Sequence, residues 1–155
     1  MHDATLCTVV DLENKRVLLG LKKRGFGNGK WNGFGGKVKQ TESIEDATIR
    51  ETLEEALIKI KNIEKVGELT FEFPHKQEWN QVVHVFLTSE WEGEPTETEE
   101  MLPAWFDFDK IPFDKMWPSD QQWLPRVLKG EKVKATIEFT ETTQVKSIQW
   151  AQFEK

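Results

Sequence analysis

The chain has 155 residues and a net charge of −6. Its length favours one domain spanning residues 1–155, and its acidity argues against a lasting grip on a nucleic-acid polymer, which needs a basic stripe. No apolar run approaches the ~20 residues of a membrane span, no charged-then-apolar leader opens the chain, and a lone cysteine excludes an internal disulfide, so a soluble cytoplasmic protein is expected.

In chain order, residues 5–11 and 16–21 read as strands joined by a hairpin at Glu13, Asn14 and Lys15. A glycine loop, residues 26–36, follows. Residues 43–60 read as a helix, because Ser43 with Asp46 three residues on makes an N-cap with an acidic partner, and Glu45 and Asp46 suit the positive end of the helix dipole. At about 100° per residue, Ile49, Leu53, Ala56, Leu57 and Ile60 form an apolar stripe that is expected to be buried. Residues 66–73 and 82–88 are expected as strands around a polar loop at 74–81, and 104–108 as a short strand. Residues 119–129 read as a second helix ended by Gly130, with Pro125 forcing an irregular first turn. A closing hairpin at 135–139 and 145–150 completes a mixed order of elements, which points to an α+β fold. His84, inside an apolar strand, reads as a hydrogen-bonded structural residue, whereas Trp79 and Trp91 receive no role.

The chemistry concentrates on the first helix. Glu51, Glu54 and Glu55 stand at i, i+3 and i+4, so their carboxylates project from one side within reach of a shared centre. Three anions so close repel one another unless a cation lies between them, and an all-oxygen set suits Mg²⁺, with Mn²⁺ as the alternative, over a softer metal. The charge is also polarised along the chain. Residues 15–40 hold eight basic side chains and no acid, and residues 41–55 hold six acids against Arg50 alone. A small polyphosphate bridged by a divalent cation fits that seam.

The segment from Gly36 to Ile58, with Glu42, Arg50, Glu51, Glu54 and Glu55 at fixed offsets, resembles the signature of the Nudix hydrolases, G-x5-E-x7-R-E-U-x-E-E-x-G-U with U a bulky aliphatic. Two positions depart: Thr52 stands for the aliphatic and Leu57 for the glycine. Both read as packing substitutions. Further blocks, among them residues 18–38, 71–73, 84–86, 100–101, 105–106 and 111–118, resemble the branch of that family that hydrolyses oxidised purine nucleoside triphosphates, the MutT homologues.

That resemblance implies a mixed sheet sandwiched between helices and a monomeric enzyme acting on a small nucleoside triphosphate. It implies metal ligation by Glu51, Glu54, Glu55, Glu100 and the Gly35 carbonyl, with Glu51 or Glu55 as general base and Glu42 paired with Arg50. It further implies a substrate pocket of Thr8, Lys22, Phe26, Asn32, Phe34, Phe71, Phe73, Trp117, Ser119 and Asp120, with Lys22 near the phosphates and the rings around the purine. Ser119 departs from the branch, which has a second aspartate there. Ser119 followed by Gln122 also reads as a capping box, and that reading weighs equally with a role in base selection. The implied activity is Mg²⁺-dependent hydrolysis of 8-oxo-dGTP and related triphosphates to the monophosphate and pyrophosphate, sanitising the nucleotide pool. The alternatives are a Nudix pyrophosphohydrolase of other nucleotides and a nucleotide-binding module without catalysis.

Overall fold

The computed structural model describes residues 1–154. Its first two strands, β1 (His2–Asp11) and β2 (Arg16–Lys22), pair antiparallel only over Val9–Asp11 and Arg16–Leu18 and then diverge. Into the gap the glycine loop inserts. A short β3 (Trp31–Asn32) pairs with the far end of β2, and Phe34 exchanges backbone hydrogen bonds with Cys7. The approach is so close that a Cβ on Gly35 would lie 1.7 Å from the Thr5 carbonyl oxygen. No other residue fits there.

After this loop come α1 (Ile44–Ala56), β4 (Lys59–Lys61), β5 (Glu64–Glu72), β6 (Gln81–Thr88), β7 (Glu90–Glu92), β8 (Met101–Asp107), α2 (Asp120–Leu128), β9 (Val133–Phe139) and β10 (Val145–Ala151). Short 3-10 turns at Gln77–Trp79 and Phe113–Lys115 lie in the connections. The main sheet runs β10-β9-β5-β6-β1-β2-β3, with β8 also on β2. It is mixed, since β1 and β6 run parallel, as do β5 and β9, while the other pairs are antiparallel. Period-2 alternation sorts the side chains to two cores. Ala4, Leu6, Val10, Val17 and Leu19 face α2 with Trp123, Leu124 and Val127, whereas Cys7, Val9 and Leu18 join Ala56 of α1, Ile58 and Ile60 on the other face. The two helices therefore cover opposite faces of one sheet, the sandwich that the resemblance implies.

The apolar stripe expected on α1 is wrong in two places. The helix stops at Ala56; Leu57 caps it in the left-handed region (φ 60°) and is 49% exposed, and Leu53 is 45% exposed. The buried face is instead Ala47, Thr48, Thr52, Glu55 and Ala56. Small residues sit there because the helix lies close on β1, and Thr52 satisfies its hydroxyl by donating to the Thr48 carbonyl at 2.8 Å. Residue 60 lies in β4 rather than the helix, buried against β7. The N-terminus is as expected, with Ser43 Oγ accepting from the Asp46 amide at 3.0 Å. In α2 the Gln122 amide donates to the Ser119 carbonyl, a tight first turn ahead of Pro125. His84 accepts its structural role: Nε2 lies 2.9 Å from Asp3 Oδ1 and Nδ1 2.9 Å from Lys65 Nζ.

Candidate active site

Two concavities meet on one side of the sheet. The first is a cavity of about 420 Å³ with Phe26, Asn32, Phe71, Phe73, Trp117 and Asp120 in its wall. The second is a cleft bounded by Glu51, Glu54, Glu55, Glu100 and Arg50. Lys22, Gly35, Gly36, Lys37 and Glu55 border both, so a ligand can lie across the two without leaving the protein surface.

The cleft is built by pressing α1 against the glycine turn. A Cβ on Gly36 would lie 2.5 Å from Glu51 Oε2, so the carboxylate occupies the space that a side chain would take. Glu55 is buried on the inner side of the helix, and its Oε1 accepts the Gly35 amide at 2.9 Å. Burial pushes its carboxyl up to about 8, against the stabilising amide of Gly35 and helped by repulsion from Glu51. Arg50 joins loop to helix as expected. Its Nε and Nη2 donate to Glu42 at 2.9 and 2.7 Å, and those bonds, with the Lys39 amide, hold the Glu42 carboxyl down at about 2.

Arg50 does more than the pairing read from sequence. Its Nη1 also donates to Glu51 at 2.7 Å and to Glu54 at 3.2 Å, so one guanidinium relieves the repulsion among these acids. Glu100 is similarly drawn aside, accepting from Arg24 Nη2 at 2.6 Å with Lys22 Nζ at 3.7 Å. As they stand, no three of the acids among the described residues converge on one point. The set nevertheless fits a hard divalent cation: four carboxylates rim one cleft, and the Gly35 carbonyl accepts no backbone hydrogen bond, unlike its neighbours Phe34 and Gly36. Glu51, Glu54, Glu55 and Glu100 would hold the ion.

In the cavity wall, Asp120 is a buried carboxyl. Its Oδ1 accepts from the Trp123 indole at 3.2 Å, while Oδ2 is buried without a partner. Burial pushes its carboxyl up to about 7, opposed by that indole donor. Asn32 uses Oδ1 to accept the Gly33 amide at 2.9 Å, which leaves its NH₂ as the donor group of the side chain. Lys22 stands at the junction with the acidic cleft.

Three residues expected in the pocket lie outside its wall. Thr8 is buried further along β1, beyond Leu6. Phe34 belongs to the core under α1, with its ring edge against Gly20, because the bridge to Cys7 turns it to that face of the sheet. Ser119 is fully buried behind Asp120, and its Oγ has no partner and caps nothing, so the capping-box reading fails as well. Conversely, His2, Lys30, Glu78, Trp79 and Gln81 line the cavity without having been read from sequence. Trp79 carried a signal, as a large aromatic in a polar loop, but only the fold brings that loop over the cavity.

Comparison with known proteins agrees with this geometry. The NUDIX domain model matches residues 1–127. The chain is 46% identical over 139 residues to the oxidized purine nucleoside triphosphate hydrolase of Mus musculus, covering 90% of this chain and 88% of the relative. It is 48% identical over 134 residues to the protein of the same name from Danio rerio, covering 86% and 85%. Among solved structures, the mutator MutT protein of Bacillus halodurans superimposes with a TM-score of 0.83 at 27% identity, over 99% of this chain and all of that one. A helix bearing Arg50, Glu51, Glu54 and Glu55 against a glycine turn, a sheet covered by helices on both faces, and these matches together establish that the chain belongs to the Nudix family of hydrolases.

Proposed function

We propose that this Nudix enzyme hydrolyses oxidised purine nucleoside triphosphates, 8-oxo-dGTP and its relatives, to the monophosphate and pyrophosphate, and so clears them from the nucleotide pool. The observation that carries the reading is the continuity of the two concavities: an aromatic cavity holding the buried carboxyl of Asp120 opens onto an acidic cleft through Lys22, Gly35, Gly36 and Glu55. A base held in the first directs its phosphates along the second. The name borne by the mouse and zebrafish relatives supports the same substrate class.

Nudix hydrolases generally need a divalent cation; we take it to be Mg²⁺, with Mn²⁺ as substitute, because the donor set is all oxygen. When bound, such an ion supplies charge neutralisation on the phosphates and an acidified water. The protein's own groups do the remainder. Lys22 meets the phosphate chain with its ammonium, and Glu55 or Glu51 takes up the proton of the attacking water. Glu55 is placed for that task, since it borders both the cavity and the acidic cleft. Attack at the β-phosphorus would release pyrophosphate and leave the monophosphate oxygen of the substrate intact. In the base cavity, Asp120 and Asn32 face the purine edge, Asp120 donating when protonated and accepting when ionised.

A second reading, a broader pyrophosphohydrolase of ordinary dNTPs or other nucleoside diphosphate derivatives, is favoured by one observation. Ser119 carries no carboxyl and lies outside the cavity wall, so Asp120 has no second aspartate beside it at the base. We take residues 1–155 as one domain, because β9 and β10 belong to the same sheet as β1 and β2. We place the enzyme in the cytoplasm as a monomer acting on free nucleotides, supported by the net charge of −6 and the lone, buried Cys7. The deciding experiment compares kcat/KM for 8-oxo-dGTP, 2-hydroxy-dATP, dGTP and dATP with Mg²⁺ saturating, alongside Glu54→Gln. A preference for the oxidised bases that collapses by orders of magnitude in the variant supports the proposal. Equal rates on all four substrates support the broader reading, and wild-type turnover in Glu54→Gln overturns the assignment of the acids.

A further inference from the structure

The cavity contains a ring that no sequence pattern assigns. Trp79 sits at the end of the 3-10 turn between β5 and β6, in the cavity wall with Phe26 touching both it and Trp117, and its position is fixed from several directions. Asn80 Oδ1 accepts the Phe73 amide at 2.6 Å, the Lys76 amide donates to the Phe73 carbonyl, and the Trp79 amide donates to the Lys76 carbonyl. The indole is met edge-on by Phe73 at 5.5 Å and His75 at 6.2 Å, with Lys76 Nζ 4.4 Å from its centre. A loop tip on the surface is thereby tied to the floor of the cavity.

Its counterpart is Phe26. That ring is 47% exposed and rides on a loop in which Gly25, Gly27 and Gly29 all take positive φ. It stacks on Trp117 at 5.1 Å with 23° between the planes, and meets Trp79 at 5.0 Å and 70°. Phe26 therefore covers Trp117 in the attitude that a flat purine adopts on an indole. A base seeking that face must move Phe26 aside, and the fixed Trp79 is the surface against which it moves. Phe26 rests on two rings, Trp79 and Trp117, and rides on a glycine loop, while the loop of Trp79 is held by three hydrogen bonds and its indole meets Phe73 and His75 besides Phe26.

We propose that Trp79 is a base-binding residue of this enzyme, the fixed outer wall of the purine slot, with Phe26 closing against it over the bound base. The inference rests on the reading of the cavity as a purine site. It predicts that Trp79 contributes to nucleotide binding and little to the chemical step, which takes place in the cleft beyond Lys22.

The test separates these contributions with Trp79→Ala, Trp79→Leu and Trp79→Phe. Loss of one aromatic wall should raise KM for the preferred triphosphate by roughly five- to a hundredfold in the alanine variant while kcat stays within about threefold, since one base–aromatic contact is worth about that much. Phe should restore most of the loss and Leu little, because the contact depends on an aromatic face. Calorimetric titration with the purine monophosphate, without metal, should weaken by the same factor, while affinity for pyrophosphate in Mg²⁺ stays unchanged. A merely structural Trp79 would lower kcat, pyrophosphate affinity and thermal stability together, and that pattern overturns the proposal. So does an unchanged KM in Trp79→Ala, or equal behaviour of Leu and Phe. If Trp79→Ala does not fold, the comparison of Leu with Phe still decides. Wild-type activity with unaffected variants refutes this inference alone; a wild type that neither turns over nor binds any purine nucleotide refutes the purine site as well.

Discussion

Leu57 offers a test of the fold's most unexpected local feature. It caps α1 with φ 60° and ψ 29°, its amide donating to the Leu53 carbonyl at 3.0 Å, at the position where the Nudix signature has glycine. A Cβ in the left-handed region costs about 1–2 kcal/mol. Replacement by glycine relieves that strain but adds about 0.4–1 kcal/mol of unfolded-state entropy, and it also removes a half-exposed side chain whose packing is worth something. Leu57→Ala removes the same side chain and keeps the strain. The pair Leu57→Gly and Leu57→Ala therefore isolates the backbone effect: glycine should be the more stable by about 1 kcal/mol, or roughly 2–4 °C in Tm for a chain of this size. Urea denaturation of the two variants, with m-values compared to exclude a change in the unfolded state, measures it. If the alanine variant equals or exceeds the glycine variant, the left-handed cap is not the source of strain and the reasoning fails.

Two further outcomes follow from buried ionisable groups. The folded-state pKa of Asp120 is raised from near 4 to about 7, so its contribution to stability is complete below pH ~4 and is lost as pH rises through 7, by at most about 4 kcal/mol. Asp120→Asn removes that dependence: its Tm relative to wild type should climb between pH 5 and pH 8, and a flat difference across that range would refute the buried, unpaired carboxyl, while the same variant should lose discrimination for oxidised purines. Cys7 is fully buried and its thiol is pushed up to about 12, so the native protein should resist iodoacetamide at pH 8 by at least ~10³-fold relative to the denatured chain, and stoichiometric labelling of the native protein within minutes would contradict its placement.

The fold was legible where burial imposes a period and where caps are local. The paired β1 and β2, the α1 start at Ser43, the α2 stop before Gly130 and the β9–β10 hairpin all rest on such signals. The α1 stripe was misread because helical periodicity alone gives two faces of comparable apolarity. Leu53 and Leu57 look like core residues in a helical projection, but the helix approaches β1 too closely for them. The face that fits is made of Ala47, Thr48, Thr52 and Ala56, none of which stands out in a hydrophobicity pattern. The short β3, β4 and β7 carry no period at all: β3 exists because β2 presents unpaired backbone to it, and β4 and β7 pair only with each other.

A similar distinction separates the two halves of the site. The proposed ligation of a cation by Glu51, Glu54 and Glu55 needs offsets of three and four on one helix, and Glu42 meets Arg50 eight positions on, so nearly all of that geometry is encoded within fourteen consecutive positions, residues 42–55. The base cavity has no such locality. Its wall draws on β2, the glycine loop, β5, the β5–β6 connection and the start of α2, and each contribution depends on the face to which sheet alternation turns the side chain. Phe34 was displaced from it by that alternation, Thr8 by its depth along β1 beyond Leu6, and Ser119 by the one-residue step that puts Asp120 inward. Trp79 entered it for the converse reason, since a loop of no evident pattern is pinned to Phe73 by Asn80. On the proposed reading, selectivity among bases resides in the part of the molecule that local sequence describes least, and changes at the β5–β6 connection should alter which nucleotide binds without disturbing the acids assigned to its phosphates.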